Sequence, residues 1–209
     1  MATSTKRADT AQKHKGLPIL LFSTVRQWRA WLARNHESSD GLWVRLAKKD
    51  ATTRSISYAE ARDHALAYGW IDGLKNAIDK ESYAIRFTPR RKRSTWSKIN
   101  REVCEQLIAA GQMTPSGMRE VETAKADGRW DNAYAGQATM EIHPELQLAL
   151  AKNPAAEKFF ATITAANRFA IMYQVHEAKR PETRARRIEK FIAMLLRGEV
   201  PHSASATKL

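Results

Sequence analysis

The sequence predicts an α+β protein, predominantly helical, with a small N-terminal antiparallel or mixed sheet flanked by helices and a C-terminal helical bundle part. Three observations predict it. "GLWVRLAKK" (41–49) and "SYAIRFT" (82–88) alternate apolar and polar residues with the period of a strand. Between and around them, "VRQWRAWLARN" and "SYAEARDHALAYG" carry helix periodicity and helix-start residues. From Thr114 to Arg197 the helical segments open on Thr or Pro, with one loop between the first and the rest.

Taken in order, Ser23 can cap a helix over 24–35, where Val25, Trp28 and Leu32 form one apolar face. The strand at 41–49 sets Leu42, Val44 and Leu46 against Trp43, Arg45 and Ala47. Ser57 and Glu60 have the spacing of a capping box, and Gly69 is a C-cap for the helix they open. "WIDG" (70–73) leaves that helix as a short strand with a turn at 74–79. The strand at 82–88 is ended by Pro89. Trp96, Ile99, Val103, Leu107 and Ala110 give a helix over 95–110. Thr114 and Pro115 open a helix to about Ala126, and "ADGRWDNAYAGQATMEIH" reads as a loop. Pro144, Pro154, Thr164 and Pro181 each open a further helix, ending near Lys152, Ile163, Lys179 and Arg197. Ile188, Phe191, Ile192, Leu195 and Leu196 give the last one a continuous apolar stripe. The predicted division is a disordered basic tail at 1–16, an α+β domain at 17–130, a helical module packed on it at 131–198 and a disordered tail at 199–209.

The chain has 209 residues, of which 43% are hydrophobic and 27% charged, the balance of a soluble globular protein. No apolar run is long enough to span a membrane. The first residues lack the apolar stretch of a secretory signal, and Cys104 is the only cysteine, so the expected location is the cytoplasm. The formal charge is +13. Its concentration matters more than its size, because residues 82–101 hold Arg86, Arg90, Arg91, Lys92, Arg93, Lys98 and Arg101 with no acid. A local positive field of this kind attracts an anionic partner.

Several chemistries are excluded by motif. There is no GxGxxG, no GxxxxGK[ST] and no GxSxG. His176-Glu177 is followed by Arg180 where a zinc helix needs histidine. Neither the six histidines nor Cys104 fall at metal-ligand spacing, so no metal and no cofactor are expected. Asp72, at a strand end with Gly73 behind it, is the best candidate for a catalytic group, although capping the following turn is the commoner use of an aspartate so placed. Trp70, Asp72, Arg86, Arg90, Trp96 and Asn100 form a mixed aromatic, acidic, basic and amide set suited to a small ligand. Arg184 falls inside the apolar stripe of the last helix. With Arg180 and Arg187 it places cations at the positive end of a helix dipole, where Glu182, a carboxylate elsewhere in the fold or a bound anion should answer them.

These segments, with "FSTVRQWRAWLARNH", "SISYAEARDHALAYGWIDG", "YAIRFTPRRKRSTWSKIN", "KADGRW" and "AKRPETRARRIEKFIAML", resemble the YdeI/OmpD-associated, or bacteriocin-protection, family of bacterial proteins over about residues 20–198. The resemblance implies a small bacterial protein whose C-terminal helices, about 145–198, form its most widely shared module. It implies no catalytic residues. Whether the protein is an enzyme is left open. Three readings follow: a cytosolic stress or protection protein binding an anionic small ligand at the mixed set; a nucleic-acid-binding module using Arg90, Arg91, Lys92, Arg93, Lys98 and Arg101, with Trp96 for stacking; and a protein acting through a protein partner.

Overall fold

The computed structural model describes residues 13–202. These form five strands and eight helices in an α+β architecture, divided into two compact units between Ala133 and Tyr134.

In the first unit, β1 (Lys13–His14) and β2 (Leu17–Leu21) make a hairpin whose turn needs positive φ at Lys15 and Gly16. The chain crosses through α1 (Val25–Asn35) to β3 (Leu42–Ala47), which lies parallel to β2. After α2 (Tyr58–Ala67), β4 (Trp70–Ala77) and β5 (Ser82–Pro89) form an antiparallel hairpin whose β5 arm pairs with β3. The sheet order is β1-β2-β3-β5-β4, a mixed sheet. Strand alternation decides its core face. Leu42, Val44 and Leu46 share that face with Ile85 and Phe87, against Trp28 and Leu32 of α1 and Ala61 and Ala65 of α2. Burying the Trp28 ring would orphan its indole N–H, and that group donates to the Ala61 carbonyl at 3.0 Å. Trp43 points the other way and is also buried, its indole donating to the His14 carbonyl at 3.0 Å under the β1 hairpin.

Behind α2 lie α3 (Lys98–Ala109) and α4 (Pro115–Ala126), around a second core of Leu66, Trp96, Cys104, Leu107, Val121 and Trp130. The backbones of α2 and α4 touch: a Cβ on Gly117 would stand 2.3 Å from the Ala67 carbonyl oxygen. That oxygen accepts from both the backbone N–H and the hydroxyl of Thr114.

The second unit is helical: α5 (Pro144–Ala151), α6 (Pro154–Thr162), α7 (Ala165–His176) and α8 (Pro181–Leu196) enclose Leu146, Leu150, Phe160, Ile171, Val175, Ile188, Phe191 and Leu195. Each helix starts at the expected Pro or just after the expected Thr.

Several boundaries differ from expectation, each for a local reason. Thr24, not Ser23, caps α1, because Thr24 and Gln27 close the reciprocal capping box. Ser97 caps α3, so Trp96 precedes the helix that its spacing suggested it belonged to. β4 runs eight residues, not four, because a bulge between Asp72 and Lys75 lets it keep pairing with β5. α7 stops at His176, short of Lys179. Of the expected tails, 1–12 and 203–209 lie outside the described residues. Lys13 and His14 form a strand, and His202 is tied down by its N–H donating to Asn167 Oδ1 at 2.9 Å.

Candidate functional site

The candidate site is built around Gly69. The residue takes φ +75°, which turns the chain out of α2 and into β4. Its carbonyl accepts from the Arg90 N–H at 3.0 Å, so the residue before β4 and the residue after β5 are held side by side. A Cβ at position 69 would meet Glu120 Cγ at 3.0 Å and the Ser116 carbonyl oxygen at 3.1 Å. The first turns of α4 therefore sit directly over this glycine.

Trp70 is buried in the sheet core, with its indole N–H donating to the His36 carbonyl at 3.1 Å. This bond fixes the C-terminal end of α1 beside the site. Arg90 is only 7% exposed. Its guanidinium carbon lies 3.5 Å from the Trp96 ring centroid, and Nη1 donates to the Thr95 carbonyl at 3.2 Å. Trp96, 2% exposed, is held edge-on by Trp130 at 4.9 Å. A planar cation stacked on an indole and screened from water is one of the stronger cation–π arrangements, worth about 2 kcal/mol when desolvated.

These elements surround a cavity of about 230 Å³ lined by His36, Tyr68, Trp70, Arg90, Ser116, Arg119 and Glu120, with Glu37 and Pro89 at its margin. The His36 Nδ1 faces the Leu32 carbonyl at 2.9 Å; a carbonyl only accepts, so Nδ1 carries the proton. Glu37 lies 3.7 Å from both His36 Nε2 and Arg119 Nη2, long and exposed pairings. Glu120 is half-buried and makes no hydrogen bond or ion pair among the described residues. A larger and shallower depression of about 370 Å³ lies over α1, between Leu21, Trp31, Arg26 and Arg34.

The residues singled out from sequence are partly brought together. Trp70 and Arg90 line one cavity, and Trp96 supports Arg90 from beneath. Asp72 stands two residues along β4 and accepts from the Tyr58 hydroxyl at 2.7 Å. It does not cap the turn. Asp79 does, accepting from the Glu81 N–H at 2.9 Å and the Ser82 hydroxyl at 2.8 Å. Arg86 lies on the opposite face of the sheet, across from Trp43, with a buried Nε that has no hydrogen-bond partner among the described residues. Asn100 is buried in the first turn of α3, where Ser97 Oγ accepts from its N–H. Arg91, Lys92, Arg93 and Lys98 are exposed, while Arg101 is half-buried and reaches the Trp130 carbonyl. The Trp96 face is covered by Arg90 and not offered to a base.

In the second unit, Arg184 finds its answering charge. Nε and Nη2 both donate to Glu145 Oε1, at 3.0 and 2.8 Å, and Nη1 donates to the Ala178 carbonyl. The Arg184 hydrogen bond holds the Glu145 carboxyl below its usual range, and the same bond raises the guanidinium. Burial pushes the Cys104 thiol up to about 12, so it is no nucleophile at neutral pH. Burial also lowers His64, with Arg29 adding to the effect. Among the described residues no group of three or more His, Cys, Asp or Glu is placed to hold a metal, and no helix is long and apolar enough to cross a membrane.

Sequence reasoning missed His36, Tyr68, Ser116, Arg119 and Glu120. One signal was available: Gly69 beside WIDG and Thr114-Pro115 at the start of α4 are both places where a backbone is free to approach another closely. Nothing local says that they approach each other.

Fold and geometry together define a two-unit α+β protein in which a sheet-and-helix unit carries a cavity floored by a buried arginine, and a four-helix unit follows. Residues 139–198 match the family described as "Bacteriocin-protection, YdeI or OmpD-Associated", so the chain carries the domain of that family as its C-terminal helical unit. Residues 20–120 match a separate "Domain of unknown function (DUF8412)". The resemblance read from sequence across 20–198 is thus divided between two models, the family's own covering the helices expected to be its shared module. No curated protein and no solved structure shows a significant match to the chain.

Proposed function

We propose that the first unit is a receptor for a small anionic ligand, a single carboxylate or phosphate group on a compact body, taken up in the cavity beside Arg90. The observation that carries this reading is the placement of Arg90. Arg90 and Arg119 both line the same polar cavity of about 230 Å³, so its wall carries two cations. That volume is below the range of drug-sized sites, so the ligand is a small one. The Arg119 guanidinium adds donors on the same wall. Asp72 belongs to the reading as a supporting group that fixes Tyr58 on α2, not as a catalytic base. Arg184, answered by Glu145, is left out of it. No bond-breaking step is assigned. A reducing cytoplasm suits the single buried thiol. The protection named in the family's description comes to this chain as a phenotype to test.

The test is calorimetric titration of the full chain with acetate, propionate and inorganic phosphate. Binding that falls at least tenfold in Arg90→Met, with the variant still folded by near-UV circular dichroism, supports the reading. Equal binding in both proteins ends it.

A second reading is favoured by a different observation. The side chains of Arg91, Lys92, Arg93 and Lys98 are exposed and make no hydrogen bond or ion pair among the described residues. Such a run suits the phosphate backbone of a nucleic acid, which predicts affinity for a labelled random oligonucleotide that falls steeply with salt. No binding at low salt removes it.

A further inference from the structure

We infer that the depression over α1 is a binding site for an apolar chain ending in a carboxylate, the chain laid over Ala30 and Trp31 and the head held by Arg26 and Arg34. The inference is independent of the cavity beside Arg90.

The depression has a local cause. Arg26, Ala30 and Arg34 follow one another at steps of four, so they run along one side of α1 over two turns, about 12 Å. The small residue stands in the middle, and a dip opens there between two long side chains. Trp31 lies between Ala30 and the buried Trp28 around the helix, and Leu21 and Phe22, at the end of β2, complete the apolar lining. The aromatic floor is fixed. The half-buried Trp31 stacks on Trp28 at 5.6 Å and meets Phe22 and Trp70 at steep angles. Leu21 stays 42% exposed although apolar. The volume of about 370 Å³ falls within the range of small-molecule sites. A long, shallow dip of this kind suits a chain laid along it more than a compact body.

Charge names the head group. Neither β2 nor α1 contains an acid. Arg26 and Arg34 are exposed, and their side chains make no hydrogen bond or ion pair among the described residues. Arg184 shows the contrast, since Glu145 answers it directly. The one side-chain acceptor on this wall is already used: the Gln27 amide oxygen accepts from the Ser23 N–H at 2.9 Å and the Thr24 N–H at 3.3 Å. What remains is donors. They are two guanidiniums, the Gln27 amide N–H groups and the Trp31 indole N–H. Trp28, Trp43 and Trp70 each donate their indole N–H to a carbonyl, whereas that of Trp31 has no hydrogen-bond partner among the described residues. Apolar surface bordered by donors alone selects an acceptor-only head on an apolar body, and a carboxylate is such a head. Either arginine can hold it while the aliphatic stem of the other covers the chain.

The full chain is titrated calorimetrically with hexanoate, octanoate and decanoate, and with 1-octanol as the uncharged match to octanoate. A fully buried methylene tightens binding about fourfold, so an open site should gain about twofold for each one added. Octanoate should bind about tenfold or more tightly than 1-octanol, the difference a charge-assisted hydrogen bond provides. Arg26→Gln with Arg34→Gln should remove that preference, and both positions are exposed, so the fold is left intact. Ala30→Gln should fill the dip and weaken decanoate about fivefold or more with both charges still in place. Arg90→Met should leave decanoate within about twofold, which separates this site from the other cavity. Affinity that does not rise from hexanoate to decanoate overturns the inference, as does a double variant that binds like the unaltered chain. Cosedimentation with phosphatidylglycerol vesicles without any binding of free decanoate would make this face a membrane contact and overturn it too.

Discussion

Two arginines in this protein, one in each unit, solve the same problem in different ways. Arg184 opens α8 close to the positive end of its dipole and is answered at once by Glu145, itself in the first turn of α5. The pair is complete, sits near solvent and belongs to the architecture. Arg90 is deeper, lies flat on Trp96 and borders a cavity. Its guanidinium lies on an indole face and donates to the Thr95 carbonyl within the same loop. The lesson is that an arginine's partner tells more than its burial. A carboxylate ties Arg184 to a second helix, and an aromatic face holds Arg90 at the edge of the cavity.

The comparison can be broken most severely at the platform. Trp96→Ala removes the ring beneath Arg90 and a fully enclosed part of the second core, and should cost about 3–5 kcal/mol in denaturant unfolding. A loss under about 1 kcal/mol, the scale of a surface substitution, would mean that Trp96 is not the support described. Arg90→Met keeps the stem and removes the charge. It should cost about 1–2 kcal/mol, the desolvated cation–π contact, and abolish binding of a carboxylate probe. Full stability together with full binding would reduce Arg90 to the status of Arg184.

The pair in the second unit predicts a pH effect instead. The Glu145 carboxyl is depressed in the folded chain, so its contribution is present in full above the ordinary glutamate value of 4.5 and is lost as pH falls through the depressed one. Glu145→Gln should therefore flatten the acid limb of the stability curve and leave ligand binding at neutral pH unchanged. An unaltered acid limb would show that the pair contributes nothing measurable. Smallest of all, Arg91→Gln with Arg93→Gln should move stability by no more than about 0.5 kcal/mol, since both side chains are exposed and uncommitted. Their only expected consequence is on oligonucleotide binding.

Much of the fold was legible because it depends on local rules. Pro115, Pro144, Pro154 and Pro181 open four helices where fixed φ and a missing N–H are free of cost. The alternation at 42–47 and 82–88 gave both central strands, since one buried face forces a period of two. The errors lie where a tertiary partner overrides the local signal. Trp43 reads as an outward residue until the β1 hairpin covers it. Asp72 reads as a turn cap until the bulge carries β4 past it and hands the turn to Asp79. The cavity was half legible: Trp70 and Arg90 stood out by residue type, but Glu120 and Ser116 are ordinary helix residues. Only the approach of α4 to Gly69, set by the backbone contact at Gly117, brings them in.

Cys104 offers something unconnected with binding. It is enclosed between α3 and the neighbouring helices, beneath the region that Arg90 and Trp96 occupy, and its thiol is held protonated. A thiol reagent can reach it only when that part of the molecule opens. The rate at which an unaltered sample consumes such a reagent is therefore a clock for opening, read at a single atom in native buffer with no engineered label. Where reclosing outruns modification, the rate reports the free energy of the opening; where it does not, it reports the opening rate itself. A ligand seated beside Arg90 should slow that clock in proportion to its occupancy, so the chain carries its own binding assay before any ligand has been named.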